Sequence, residues 1–205
     1  MIVYSRVTDQ PEFEPVSLIE AKTHLEYTGT AKDAYITSLI KSARRICEGY
    51  SGLSFVTQER SIKMDAFPIY KRYIEVPYGP VQSIDSFTYI HDDGHTVTLV
   101  EDTDFVLDTH SGVCRVYPID SDGDVDLWPT DVKKKPNAIV LNYTAGYDEA
   151  VNEPLPEQIK QAMLMQIAAM FEQREDGRQG EATMVVWNSM SILDTVKVAW
   201  NAHQE

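Results

Sequence analysis

Residues 31–50 read AKDAYITSLIKSARRICEGY, and the spacing of their apolar residues decides how the fold begins. Apolar side chains recur at intervals of three and four, which places them on one face of an α-helix. These positions are Ala34, Ile36, Leu39, Ile40, Ala43, Ile46 and Cys47. The other face carries Lys32, Lys41, Arg44, Arg45 and Glu48. A start signal at Thr30 with Asp33 three residues later, and a stop at Gly49, bound the predicted helix.

Two further helices are predicted on either side of this stretch. Ser17 with Glu20 three residues later has the signature of a capping box, in which each side chain bonds the other residue's backbone amide. The apolar spacing that follows predicts a helix over 17–27. Pro156 suits a first helical turn, and apolar residues continue from it with helical spacing over 156–175. We expect these three helices to form a small bundle.

The chain between the second and third helices has the pattern of β-strands. Apolar and polar residues alternate in runs rich in β-branched and aromatic side chains, and turn residues separate the runs. The clearest runs are 57–64, 73–76, 83–90, 96–99, 105–107, 113–117 and 138–143. His91 to His95 lies between two of them, with Gly94 supplying a positive φ, and is typical of a hairpin turn. Short strands at this spacing predict an antiparallel sheet or a small sandwich.

The predicted fold class is therefore α+β. Four segments follow from the pattern: an N-terminal helical part of the bundle (1–53), an inserted antiparallel β domain (54–147), the third bundle helix (148–180) and a C-terminal tail with a short helix (181–205). The 205 residues include no apolar run of about 18 residues, the length that a membrane-spanning helix needs. No secretory signal is visible at the start, so we expect the chain to stay in the cytosol where it is made.

The charge of the chain disfavours direct binding of nucleic acid. Eighteen Lys and Arg face 32 Asp and Glu, which gives a formal net charge of −14. Binding to duplex DNA depends on cationic side chains that neutralise phosphates, and no basic stripe is present beyond Lys133–Lys135. An acidic surface remains compatible with DNA that passes nearby without adhering, because like charges repel.

Motifs for catalysis are missing from the sequence, and we expect no enzyme activity and no cofactor. The chain contains no GxSxG, GxxxxGK[ST], HExxH or GxGxxG pattern. Its two cysteines, Cys47 and Cys114, lack any metal-binding spacing and are expected to be buried, reduced side chains.

Two acidic segments could hold a cation. Asp120, Asp122, Asp124 and Asp126 alternate, as oxygen ligands of Ca²⁺ can, but the register differs from an EF-hand, so a solvated acidic loop is favoured. The alternative function is a small non-enzymatic binding module, which this loop could make dependent on calcium. At the predicted hairpin, His91 and His95 flank two aspartates; we expect an exposed polar tip in preference to a metal site.

The C-terminal tail is hydrophobic and follows a Gly-rich break at 177–180. It could pack back onto the helices, or it could dock onto a partner, since large aromatic side chains supply much of the energy of interfaces. The candidate docking residues are Trp187, Met190, Leu193, Val196 and Trp200.

Several short motifs, in their order and spacing, resemble a family of bacteriophage head–tail connectors. The segments 15–25 and 33–44 resemble the family's first two helices, and Ile74 to Val81 resembles its strand followed by a Gly-Pro turn. Tyr143 to Tyr147 and the helix from Pro156 complete the match, which covers roughly 15–175. The family comprises the gp6-like connectors and especially the longer phiE125 gp8-type proteins. The tail departs from the family's usual ending.

The resemblance implies a non-enzymatic subunit of a ring, dodecameric in the family, that binds beneath the portal vertex of a tailed phage. Such a ring extends the DNA channel, lets DNA pass without specific binding, and offers a surface to the next neck or tail protein. The expected location is the head–tail interface of the virion, and the host cytoplasm during assembly. The docking residues of the tail would then contact the portal protein.

Overall fold

Helices and strands separate into two units in the computed structural model, which describes residues 4–109, 113–151, 153–172 and 189–196. The helical unit contains Glu12–Val56 and the described residues from Tyr147 onwards. The β unit contains the described residues up to Pro11 together with Thr57–Gly146. The predicted α+β class is confirmed. No helix among the described residues combines the length and the apolar character needed to cross a bilayer.

The helical unit is built from α1 (Leu18–His24), α2 (Asp33–Ser51) and α3 (Glu157–Glu172), together with a short helical segment at 189–193. The predicted capping box forms, since Glu20 N donates to Ser17 Oγ and Ser17 N donates to the Glu20 carboxylate at 2.7 Å. The start predicted for α2 is wrong in detail. Its N-cap is Lys32, which makes no side-chain capping hydrogen bond, so no capping box forms from Thr30.

One face of α2 packs against α3 in an apolar core. The fully buried residues of this core include Ile36, Ala43 and Cys47 from α2, and Ile159, Met163 and Ile167 from α3. Two predicted core positions of α2 are instead exposed, Ala34 and Ile46.

Two charged residues that the pattern assigned to the polar face of α2 are instead buried. Arg44 is 3% exposed and Glu48 is 4% exposed. Arg44 Nε lies 2.7 Å from Glu14 Oε2, and its Nη1 lies 3.0 Å from Glu48 Oε2. The other oxygen of Glu48 accepts the backbone N–H of Phe55 at 2.9 Å. The pairing compensates for burial, because a buried charge is tolerated only when it is paired and hydrogen-bonded.

Eight strands lie in the described part of the β unit and form two antiparallel sheets. They are β1 (Tyr4–Val7), β2 (Gln58–Met64), β3 (Ile74–Val76), β4 (Val81–Ile90), β5 (Thr96–Leu99), β6 (Phe105–Asp108), β7 (Cys114–Pro118) and β8 (Ile139–Ala145). The larger sheet has the order β1-β2-β8-β4-β5, and the smaller has the order β3-β7-β6. In the central strand β8, Leu141 pairs with Ile62 on one side and with Phe87 on the other.

Residues of both sheets meet in one apolar cluster, so the β unit is a small sandwich. Alternate residues of β8 are buried, as a strand with one face on the core requires. Aromatic rings fill much of the space between the sheets: Phe67 stacks on Trp128 with ring centroids 4.8 Å apart, and Phe87 meets Phe105 edge to face at 5.5 Å. This packing holds in place the strands that carry the surface turns, including the turn between β4 and β5.

Candidate functional site

The turn between β4 and β5 brings two histidines together. His91 N donates to His95 O, and Gly94 N donates to His91 O, each at 2.9 Å. Gly94 has a φ of 103°, as predicted for this turn, which an L side chain rarely adopts. The two imidazole rings consequently lie stacked, with their centroids 4.6 Å apart.

One carboxylate lies between the two imidazoles. His91 Nδ1 is 3.1 Å from Asp93 Oδ1, and His95 Nδ1 contacts the same oxygen. His91, Asp93 and His95 each offer a ligand atom, and these atoms lie within 4.8 Å of one another. Among the described residues, no other group of three or more potential metal ligands of this kind is found. The sequence pattern placed both histidines at this turn but favoured an exposed polar tip over a metal site.

A third aspartate reaches the hairpin from a distant part of the chain. Asp92 N donates to Asp131 O, and Lys133 N donates to Ile90 O, each at 2.8 Å. These two bonds hold the segment beside the turn, so that His91 Nε2 lies 2.9 Å from Asp131 Oδ2. The contact of Asp131 with this turn was not predicted, because no local pattern links residues 40 positions apart.

The electrostatics of the hairpin favour a positive charge. Burial disfavours the imidazolium of His91, but the hydrogen bond to Asp93 and the charges of Asp92 and Asp131 outweigh it, so the pKa of His91 is raised. The backbone N–H of His95 is the largest influence on Asp93, and bonds to both imidazoles add to it. Together they lower the pKa of Asp93 to about 2 despite partial desolvation.

The acidic loop after β7 does not form a comparable cluster. Asp120 Oδ1 accepts the backbone N–H groups of Asp122 and Asp124 at 2.9 and 3.0 Å, so this carboxylate is engaged by its own turn. The carboxylates of Asp120, Asp122, Asp124 and Asp126 are exposed, and the structure does not bring them together with ligand spacing. The loop thus has the geometry of a solvated turn.

The described part of the tail, residues 189–196, packs onto the helical unit. Leu193 is fully buried in its core, and Met190 and Val196 are partly buried against the same cluster. Tyr50 donates its hydroxyl proton to Asp194 at 2.8 Å. Two of the candidate docking residues, Trp187 and Trp200, lie outside the described residues.

Comparisons with solved structures bear on the whole chain. A chain of the native gene transfer agent virion matches with a TM-score of 0.74 at 16% identity, over 98% of both chains. Chains of the gene transfer agent neck, empty with C6 symmetry and native with C12 symmetry, match with TM-scores of 0.71 and 0.69. Both are 18% identical, over 99% of this chain and 100% of theirs. The chain shares their fold. No protein-family model and no curated protein sequence matches it.

Large apolar side chains are exposed on both units of the chain. Phe13 and Ile19 of the helical unit are 73% and 77% exposed. Ile69 and Tyr70 of the β unit are 86% and 99% exposed, and Leu127 is 66% exposed. Exposed apolar side chains that cluster on a surface often mark contacts with other proteins. No sequence pattern marked these positions as exposed, because they lie in loops or beside predicted core residues.

The two thiols of the chain are poor nucleophiles. Cys47 and Cys114 are both buried and unpaired with each other. Burial, aided by nearby carboxylates, raises the pKa of each thiol to about 12. Because the thiolate is the reactive form, neither cysteine is suited to covalent catalysis at neutral pH.

Proposed function

We propose that this chain is a structural, non-enzymatic component of the neck of a phage-like particle, a head–tail connector that assembles into a ring. The observation that carries the proposal is the shared fold, which extends over 98% or more of this chain and of the gene transfer agent chains. Both the helical unit and the β unit fall within that coverage. The order of motifs that resembles the phage connectors supports the same role independently.

In this proposal the ring is a homo-oligomer, with twelve subunits as the resemblance implies. Two of the similar chains come from necks computed with C6 and C12 symmetry, which supports a ring of six or a multiple of six. Neighbours in a ring meet head to tail, so each subunit presents two different complementary patches. Exposed apolar residues such as Ile19 and Tyr70 are suited to such contacts.

The ring would bind the portal vertex, extend the channel for DNA and offer a surface to the next neck or tail protein. A net charge of −14 can provide an acidic channel wall along which DNA moves without adhering. The subunit would be made in the host cytoplasm and reside at the head–tail interface of the virion.

The tail is our candidate for portal docking. Leu193 would anchor the segment in the helical core, while the partly exposed Met190 and Val196 and the two tryptophans Trp187 and Trp200 would contact the portal. Aromatic side chains buried in a partner's pocket commonly dominate binding energy. Deleting the whole tail would also remove Leu193 from the core, so point variants separate docking from folding.

Electron microscopy of the full chain mixed with the portal protein of the same genome tests this function. We expect rings of extra density stacked on the narrow end of the portal. The double variant Trp187→Ala/Trp200→Ala should weaken binding at least tenfold, whereas the exposed aromatic variant Phe13→Ala should still bind the portal. Rings that never associate with an intact portal, at any concentration tried, would contradict the connector role. Equal binding by the double variant would overturn only the docking assignment.

A further inference from the structure

We propose that the tip of the β4–β5 hairpin is a binding site for a divalent transition metal ion of the zinc type, with His91, Asp93 and His95 as ligands and Asp131 as a positioning residue. This site is independent of the proposed ring function.

The three ligand atoms are already close to the spacing that a metal site needs. Zinc binds imidazole nitrogen and carboxylate oxygen at about 2.0–2.2 Å, so neighbouring ligands of a tetrahedral ion lie roughly 3.4 Å apart. His91 Nδ1 and Asp93 Oδ1 are 3.1 Å apart, and all three atoms lie within 4.8 Å of one another. Small rotations of exposed side chains would complete the geometry, since Asp93 and His95 are 60% and 57% exposed.

The backbone holds these ligands in place without the ion. The bonds from His91 N to His95 O and from Gly94 N to His91 O close the turn, and the N–H of His95 donates to Asp93 Oδ1 at 3.0 Å. The ligands therefore come from one five-residue turn at the end of two paired strands. A site on paired strands needs less ordering on binding than one on an irregular loop.

Asp131 provides a second, separate indication of a metal site. A histidine that binds a metal usually donates its other ring N–H to a carboxylate, which fixes the tautomer and the orientation of the ring. Asp131 Oδ2 lies 2.9 Å from His91 Nε2, on the side of the ring away from Asp93. With the Nε2 proton directed to Asp131, Nδ1 is the acceptor nitrogen, and it accepts the backbone N–H of Asp93 at 3.3 Å. A metal ion would replace this weak contact at the Nδ1 lone pair.

The ligand types select the class of metal. Two imidazoles with one carboxylate suit Zn²⁺, Co²⁺ or Ni²⁺, whereas Ca²⁺ and Mg²⁺ prefer sets made of oxygen atoms. Asp92 Oδ1, 2.9 Å from His91 Nδ1, or water would complete the coordination.

Titration of the full chain with Co²⁺ and Zn²⁺ tests the site. Calorimetry should give one Zn²⁺ per chain that EDTA removes, and bound Co²⁺ should show visible absorption bands that Zn²⁺ abolishes. His95→Asn should lose at least tenfold in affinity, and Asp131→Asn should lose about 10–100-fold, as expected for a residue that orients a ligand. His24→Asn, a matched change at an exposed residue of α1 in the other unit, should bind like the unaltered chain.

Two results would overturn the site. The first is no Zn²⁺ binding by the folded chain at millimolar metal. The second is equal binding by His95→Asn and His24→Asn, which would assign the ion to other residues. Circular dichroism of each variant monitors folding, and His95 is exposed enough for its substitution to leave the strands intact. Portal binding can be measured on the same variants, so failure of the metal site and failure of the connector role are distinguishable.

Discussion

Replacing Arg44 by Met should destabilise the helical unit far more than the same change at its neighbour Arg45. Arg44 is 3% exposed and bonds both Glu14 and Glu48. Its removal leaves Glu48, 4% exposed, as a buried carboxylate without its cationic partner. Breaking a buried pair in this way costs about 3–5 kcal/mol. Arg45 lies on the exposed face of the same helix, and a surface substitution there should change stability by no more than about 0.5 kcal/mol.

The assay is urea denaturation followed by circular dichroism at 222 nm, with both variants measured in the same buffer. Since small domains have slopes of about 1–3 kcal/mol per molar urea, a loss of about 4 kcal/mol lowers the midpoint by more than 1 M. Adding Glu48→Met to Arg44→Met should recover much of the loss, because apolar residues can replace a buried ion pair at little net cost. If Arg44→Met and Arg45→Met unfold at the same urea concentration, the buried pair is not a determinant of stability.

Three further outcomes are expected. At pH 8 a thiol reagent should leave Cys47 and Cys114 unmodified in the folded chain, because burial raises the pKa of each thiol to about 12. In denaturant it should modify both, and mass spectrometry counts the modified thiols. Millimolar Ca²⁺ should leave the melting temperature unchanged, since the 120–126 carboxylates do not converge; a clear rise would revive a calcium-dependent binding module. Ser17→Ala should lower the free energy of unfolding by about 1 kcal/mol at pH 7, as measured by urea denaturation. The loss should be smaller in acid. Bonds to Ser17 lower the pKa of Glu20, so their contribution to stability disappears as the Glu20 carboxylate is protonated.

Local chemistry explains which parts of the fold were predictable. The capping box of Ser17 and Glu20 and the turn at Gly94 depend on residues a few positions apart, so the sequence alone revealed them. Strand β1 (Tyr4–Val7) was not predicted, because it is four residues long and is stabilised by pairing with β2, more than 50 residues later. The order of the strands in each sheet likewise depends on such distant pairs.

In the candidate sites, too, local patterns predicted some residues, whereas contacts between distant segments were not predicted. The pattern placed His91 and His95 at one turn, but Asp131 reaches them through hydrogen bonds between distant segments. The periodicity of α2 assigned Arg44 to the solvent, because it could not include Glu14, a partner from outside the helix. A hydrophobic pattern predicts which face of a helix is buried. A specific ion pair can nevertheless bury one charged residue that the pattern places on the exposed face.

The position of β8 in the larger sheet has a consequence for synthesis on the ribosome. This strand pairs with both β2 and β4, yet it is the last strand to be translated among those described. Likewise, α2 cannot pack against α3 until α3 has been translated, and Thr57–Gly146 lies between the two helices in the sequence. At about 5–20 residues per second, these roughly 90 residues take on the order of 5–20 s to emerge. During that interval the apolar face of α2 is exposed on the nascent chain, where a chaperone that binds hydrophobic helices could bind it.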